Sequence, residues 1–579
     1  MEQATEIFTY SSELLDGDSI RLIDIEPNGE NAIIRCKLSS FKRANVHEYK
    51  ALSYAWGDTA KTCSILVNGK AFWLHKNLWE ALHHIRSEAH TIRLWTDRIC
   101  IDQDNIPERN SQVRNMGKTY AGAEEVLVWL GAVPAGFGSL TDLHDIVKYQ
   151  YDLMGHDWEV KWQLLIKILS LPWFERLWVI QEVALARKAT VLLGYQRCDI
   201  EVLLELIEID LARIGYLAGK EDLKIAGIDS IGTAIDGLFS MTHLRDLLTQ
   251  DEKSFSQCGL VYQCRGQRCH DPRDYVFSTI GVAEHMGVYF QEVDYHLTPD
   301  EVFLRFSKEQ LMKDANELLY CDGLTAQLDL PSWAQDPSVR PDSAPFVTSA
   351  QFPAEGVGWS SCFDEQSFIF NSRVLVLPGS VVDEVVLSRG HGHDATWSPS
   401  TLKACEREYV TASGTASPYG GYLGQLQAFR RTVVAGTCIN PHSSEFNAIE
   451  WPGDNDTAYE VYVGRAEPLW SLRTFAYSLD SKLAFTMDFG ISFTNVCYGR
   501  AIVLTKSGRF GVGPREAKVA DLIVTVPGVR MPLLLRPVAD SDRYKILGPA
   551  YVHGLMKGEP TTSLTGRLNS GEAKIYHVE

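Results

Sequence analysis

Apolar residues recur at two periods along this chain, and the switches between them lay out its elements. Residues 20–38 alternate about a Pro27-Asn28-Gly29 turn and read as two strands. Tyr49–Tyr54 is a short apolar strand running into Ala55-Trp56-Gly57-Asp58, and residues 64–74 form a hairpin with its turn at Asn68-Gly69. Residues 77–90 have helical period, with Asn77 as the expected cap. Strands follow at Thr91–Asp97, Glu125–Gly131 and Thr190–Gly194, separated by a polar helix over 108–123 and a helical insertion over about 138–170. Trp173–Ala186 carries helical period as well. Strands alternating with helices predict an α/β fold, a mostly parallel sheet flanked by helices. In such sheets ligands sit at the carboxyl ends of the strands. Ala55–Asp58 and Arg98–Asp102 fall at two such ends.

The pattern changes twice downstream. From about 200 to 330 it is largely helical, and His270–Val282 begins polar and turns apolar. From about 345 it becomes short alternating runs broken by Gly and Pro, with helical inserts near 398–432 and a small-residue loop at 411–421. A β-rich barrel or sandwich is expected there. The expected boundaries are an α/β domain over 1–215, a helical middle over 216–345 and the β-rich domain over 346–579.

Composition narrows the function classes. With 579 residues and 45% hydrophobic content, large packed cores are expected. A net charge of −19 disfavours nonspecific nucleic-acid or anionic-membrane binding and favours a small-molecule partner. The N-terminus lacks a basic stretch followed by an apolar run, and no apolar run is long enough to span a bilayer, so a cytoplasmic location is expected. The 12 cysteines include no CxxC pair and read as reduced thiols. Cys258, Cys264, Cys269 and His270 form a cluster unlike the usual zinc spacing, and His391, His393 and Asp394 lie in a glycine-rich loop; no metal is expected at either. GxGxxG, Walker and Gly-x-Ser-x-Gly motifs are absent, which disfavours a classical dinucleotide fold, a P-loop ATPase and a serine hydrolase.

Glu182 is the candidate catalytic group. It is the lone carboxylate in the second half of an apolar helical segment, one turn after Trp178 on the same face. A carboxylate in such a setting is costly unless paired, hydrogen-bonded or functional. Its structural alternative is an ion pair with Arg176 or Arg98. Trp178 is a candidate to stack on a base or ring, against the commoner role of core aromatic. Ser53, Tyr54, Trp56, Gly57 and Asp58 form a strand-to-loop junction: glycine permits close ligand approach, and Asp58 suits either ribose hydroxyls or a turn cap. Asp97, Arg98 and Asp102 flank the next strand end, where Arg98 would suit a phosphate or simply belong to a surface Asp–Arg network.

Three of these segments, in this order, resemble the motifs of fungal heterokaryon-incompatibility (HET) domains: Tyr49–Asp58; Leu94–Gln103 with Glu108-Arg109, Gln112-Val113, Met116, Tyr120 and Val126–Gly131; and Phe174–Ala186 with its Gln181-Glu182 pair. Arg98 stands where a small residue is common and Asp102 where Asn is common. Asp271–Phe277 and three segments near 508–514, 532–536 and 551–559 resemble the regions C-terminal to the HET domain in such proteins. HET domains are in turn similar to Toll/interleukin-receptor (TIR) domains, and Trp178–Glu182 looks like the Trp-x-x-x-Glu segment that carries the glutamate of TIR NAD glycohydrolases. The resemblance implies a TIR-like α/β domain and an effector of non-self recognition and cell death. It further implies NAD(P) as a substrate rather than a cofactor, self-association, and a sensor in the C-terminal part or a separate partner. A self-associating scaffold without activity and a small-molecule enzyme of secondary metabolism are the alternatives.

Overall fold

The computed structural model describes residues 6–11, 15–29, 32–46, 48–57, 60–133, 138–143, 158–205, 228–249, 256–288, 292–321, 323–339, 369–390, 399–414, 417–435, 437–439, 448–450, 459–460, 462–463, 489, 492–493, 496–526, 528–556 and 574–579. The chain forms two compact units, Met1–Leu211 with Ala218–Pro299, and Asp300–Glu579 with Ala212–Leu217.

The first unit is built on a 9-stranded sheet of β1 (Ser19–Ile25), β2 (Arg35–Lys42), β3 (Lys50–Tyr54), β4 (Lys61–Val67), β5 (Lys70–His75), β6 (Ile92–Trp95), β7 (Glu125–Gly131), β8 (Ala189–Leu193) and β9 (Gln196–Asp199). Its spatial order is β5-β4-β2-β1-β6-β3-β7-β8-β9. The central run β6-β3-β7-β8 is parallel throughout, and antiparallel hairpins flank it. Parallel strands must be covered on both faces, and β7 accordingly buries six successive residues. Numbered by chain order, the parallel strands lie 2-1-3-4. That order reverses between β3 and β7, so the ligand crevice of an open α/β sheet belongs beyond the carboxyl ends of those two strands.

The β4–β5 turn is as expected, with Asn68 and Gly69 both at positive φ (51° and 80°), the backbone of a type I′ hairpin. Three helical expectations need correction. The 108–123 helix is two helices, Ile106–Arg114 and Met116–Gly122. Asn115 interrupts them by turning its side chain back to the Ser111 carbonyl (2.9 Å) and leaving helical geometry. The 77–90 helix is Lys76–Ile85, since Arg86 is extended and the Ser87 hydroxyl takes the amides of Ala89 and His90 into a turn. Trp173–Ala186 is a 3-10 turn at Pro172–Glu175 followed by the helix Trp178–Ala184. The other described helices of the unit are Asp97–Cys100, Trp158–Leu169, Ile200–Glu205, Ile228–Thr249, Gln257–Cys264, Asp274–Phe277 and Ile280–His285.

The second unit opens with helix Pro299–Leu311 and a 3-10 helix at Ala315–Tyr320. Its main sheet comprises β10 (Ile369–Asn371), β11 (Val374–Gly390), β14 (Arg500–Thr505), β15 (Phe510–Pro514), β16 (Leu522–Thr525), β17 (Leu533–Pro537), β18 (Arg543–Pro549), β19 (Tyr551–Val552) and β20 (Lys574–Val578). A separate pair is β12 (Thr437–Ile439) with β13 (Ala448–Glu450). The 17-residue β11 organises the rest. Leu375–Gly379 pairs with β20, Ser380–Glu384 with β16 and Val385–Gly390 with β14. Two register shifts, at Val381/Asp383 and Val385/Leu387, let one strand serve three neighbours. Since β16, β17, β18 and β20 also pair in sequence, β11 closes them into a barrel whose ring has no free edge. Helices Pro399–Ser413 and Tyr422–Thr432 pack Tyr409 and Phe429 into the same core as Phe510 and Tyr576. Among the described residues no helix is long and apolar enough to cross a membrane, and no group of three or more His, Cys, Asp or Glu side chains is placed to hold a metal ion. His391, His393 and Asp394 lie outside the described residues.

Candidate functional site

The segment holding Glu182 is shaped by bonds from far along the chain. Its apolar period would continue a helix through Arg176, yet Arg176 is extended (φ −80°, ψ 136°) because residues 175–177 form a bridge with Arg268. Leu177 N–H donates to the Arg268 carbonyl at 2.9 Å, and Arg268 N–H to that of Glu175 at 2.6 Å. The helix Trp178–Ala184 then starts afresh. The Trp178 indole donates to Asp274 Oδ2 (3.0 Å), Gly281 N–H donates to Gln181 Oε1 (3.0 Å), and Arg245 donates to the carbonyls of Val183 (3.0 Å) and Ala186 (3.2 Å) at its end. A positive side chain on the last carbonyls of a helix also suits its dipole.

Glu182 is buried, 2% exposed, and its Oε2 has no hydrogen-bond partner. Burial pushes its carboxyl up to about 7. Arg176 opposes that rise most strongly, Ser53 and Tyr120 favour the charged form by hydrogen bonding, and Asp97 adds to the rise. The Ser53 hydroxyl already accepts from the Trp173 indole (2.8 Å), so its own proton is free to face the carboxylate. The Arg176 guanidinium donates to the Tyr54 carbonyl at the end of β3. The site therefore holds a carboxyl poised between its charged and neutral forms, beside two hydroxyls and a guanidinium, at the end of the first parallel strand.

A second cluster forms the rim. Asp97, just past β6, accepts from the Tyr54 hydroxyl (3.0 Å), the Trp56 indole (2.8 Å) and the Arg98 backbone (2.7 Å). Trp56 stacks on His75, with centroids 6.1 Å apart and planes at 24°. Gly57 has φ +72°, and a Cβ there would meet Asn77 Cβ at 3.5 Å. Arg98 lies over the Phe72 ring at 5.4 Å. Asp102 accepts from Asp104 N–H (3.3 Å) and its own N–H donates to Glu108 (2.8 Å). It lines a shallow open depression with Asn105, Pro107 and His296 that does not include Glu182. Asp58 lies outside the described residues. Of the expected site, the structure gathers Ser53, Tyr54, Trp56, Asp97 and Glu182 into one connected set. Trp178 shares the helix of Glu182 but directs its indole to Asp274.

Residues 49–182 match the family described as heterokaryon incompatibility protein (HET), and residues 468–567 match the Het-6 beta-barrel domain. This is a heterokaryon-incompatibility (HET) domain protein. The chain is 29% identical to heterokaryon incompatibility protein 6, OR allele, of Neurospora crassa, over 96% of each chain. No solved structure gives a significant match.

The HET match ends at Glu182, while the compact unit runs on to Pro299. The bonds from Arg245, Arg268, Asp274 and Gly281 that fix the glutamate helix all come from that continuation. Two further HET-domain residues carry roles that sequence reasoning missed. Asn77 is no cap: it donates to the Ala55 carbonyl (2.6 Å) and accepts from the Trp129 indole (2.9 Å), joining the loop after β3 to β7. His75 is buried beneath Trp56. The signal available for Asn77 was a polar residue inside the first helical turn, which a cap explains equally well.

Proposed function

We propose that this chain acts in fungal non-self recognition as a cytoplasmic effector of heterokaryon incompatibility that leads to cell death, and that its HET domain cleaves the nicotinamide–ribose bond of NAD(P) with Glu182. The name of the Neurospora crassa relative supports the heterokaryon-incompatibility role. The second part rests on Glu182 itself. A buried carboxyl raised to about 7 with an unpartnered oxygen is poor structural design. It lies against the carboxyl-terminal residues of β3, and in such sheets ligands bind at the carboxyl ends of the strands. In the reaction the C1′–N bond breaks, its electron pair stays on the pyridine nitrogen, and neutral nicotinamide leaves. Water captures the ribosyl cation and releases a proton, giving the ADP-ribose product. A charged Glu182 would stabilise that cation. Activity then rises with pH as Glu182 loses its proton around 7. Serving in this way requires local opening, since the side chain is 2% exposed.

The same low exposure favours a second reading, a self-associating signalling module in which Glu182 is sealed and structural. NAD turnover by the purified full chain, with Glu182→Ala and Glu182→Gln, separates the two. Nicotinamide release by wild type, lost in both folded variants, supports the glycohydrolase. No release over a wide range of protein concentration removes it, and release that survives both substitutions removes Glu182 from the chemistry.

A further inference from the structure

Trp56 differs from the other tryptophans near the central strands. Trp95, Trp129 and Trp173 are at most 1% exposed, whereas Trp56 is 38% exposed. It is nonetheless fixed in place. Its indole N–H is held by Asp97 Oδ2 at 2.8 Å and its ring is stacked on buried His75. Gly57, at positive φ, follows directly, and Asn77 holds the Ala55 carbonyl just before it. An aromatic ring that is exposed yet held in one orientation costs little ordering when a flat ligand stacks on it. Its neighbours narrow the ligand. The Asp97 carboxylate that holds Trp56 also accepts from the Arg98 backbone N–H, while the Arg98 guanidinium lies over the Phe72 ring. Tyr54 links that carboxylate to Arg176 and the Glu182 site. We infer that Trp56 is the stacking platform for the aromatic base of a nucleotide whose sugar faces Glu182. This inference rests on the nucleotide reading of the site and assigns base recognition to Trp56 in place of Trp178, whose indole is engaged by Asp274.

The test is calorimetric titration of the full-length chain. ADP-ribose and AMP are titrated into wild type, and NAD and nicotinamide mononucleotide into the Glu182→Gln chain. Each is repeated with Trp56→Ala and Trp56→Phe, with folding checked by circular dichroism. Trp56→Ala is expected to weaken binding about tenfold or more, and Trp56→Phe, which keeps a ring, to restore most of it. Which half-molecule, AMP or nicotinamide mononucleotide, loses affinity identifies the base on the platform. Binding unchanged by Trp56→Ala overturns the platform and leaves the nucleotide reading standing. Failure of all four ligands to bind overturns both.

Discussion

The Trp178 indole donates to Asp274 Oδ2 at 3.0 Å, so the first turn of the glutamate helix is anchored 96 residues downstream. Asp274 also accepts from the Tyr295 hydroxyl at 2.6 Å, and the Arg109 guanidinium lies 4.0 Å from the Tyr295 ring centroid. One carboxylate thus ties the HET motifs to the downstream Asp271–Phe277 segment. Asp274→Ala leaves two enclosed donors unpaired, which should destabilise the first unit by about 2–4 kcal/mol. Asp274→Asn keeps one acceptor and should cost about half. Urea unfolding followed by tryptophan fluorescence checks both, and equal effects would show that the hydrogen bonds are not what Asp274 supplies.

Glu182 makes a pH prediction that needs no substrate. Its carboxyl rises from 4.5 to about 7 on folding, so the folded chain holds that proton more tightly than the unfolded chain does. The resulting stabilisation is fully present below about pH 4.5 and is lost as pH rises through about 7. The difference amounts to about 3 kcal/mol. Glu182→Gln removes this titration. Compared with wild type, the variant should gain stability on going from pH 5 to pH 8, measured by the denaturant midpoint of the first unit. A constant difference between the two proteins across that range would mean Glu182 does not titrate there.

How much of this was legible in the sequence depends on the range over which each residue is determined. The strands β3, β6, β7 and β8 were readable because their apolar runs, and the glycines that end β7 and β8, are local signals. The Glu182 anomaly was readable because a single carboxylate breaks an apolar period. The break at Arg176 was not, since its cause is a bridge to Arg268, and neither the register of that bridge nor the Gly117–Gly281 approach leaves a periodic trace. Asn77 and Asn115 escape a local reading for a related reason. Both side chains bond backbone carbonyls, and whether such a residue caps, breaks or bridges is decided by the partner it meets.

The crossing of helices Met116–Gly122 and Ile280–His285 depends on two glycines. A Cβ on Gly117 would lie 2.6 Å from Gly281 Cα, and one on Gly281 would lie 2.7 Å from Gly117 Cα and 2.3 Å from Gln181 Oε1. Backbone atoms cannot swing aside as a side-chain end can, so the helices must part. Either alanine substitution should cost about 2–3 kcal/mol, at the upper end of overpacking effects. Gly281→Ala should do more, because it also displaces the acceptor that fixes the glutamate helix. Hydrogen exchange of the Val179–Ala184 amides distinguishes them. Faster exchange in Gly281→Ala than in an equally destabilised Gly117→Ala is expected, and identical profiles would deny Gln181 a positioning role.

Arg21 of β1 and Glu108 of helix Ile106–Arg114 form a buried bidentate pair, with Nη2 to Oε2 at 2.9 Å. Arg21 also reaches the Cys100 carbonyl (3.4 Å) and lies 5.0 Å from the Tyr10 ring, while Glu108 accepts from Asp102 N–H. The pair therefore fixes the loop after β6, on which Asp97 and the rim depend. Desolvating two charges offsets most of their attraction, so the pair as a whole adds little net stability. Removing one partner strands the other, at a cost of about 3–5 kcal/mol. Glu108→Gln and Arg21→Met should each be severe. The double variant should be much milder than their sum, because no buried charge is left without a counterpart. A double-mutant cycle by urea denaturation reads this directly. Simple additivity would mean that each residue acts through its other contacts and that the ion pair is incidental to holding the rim.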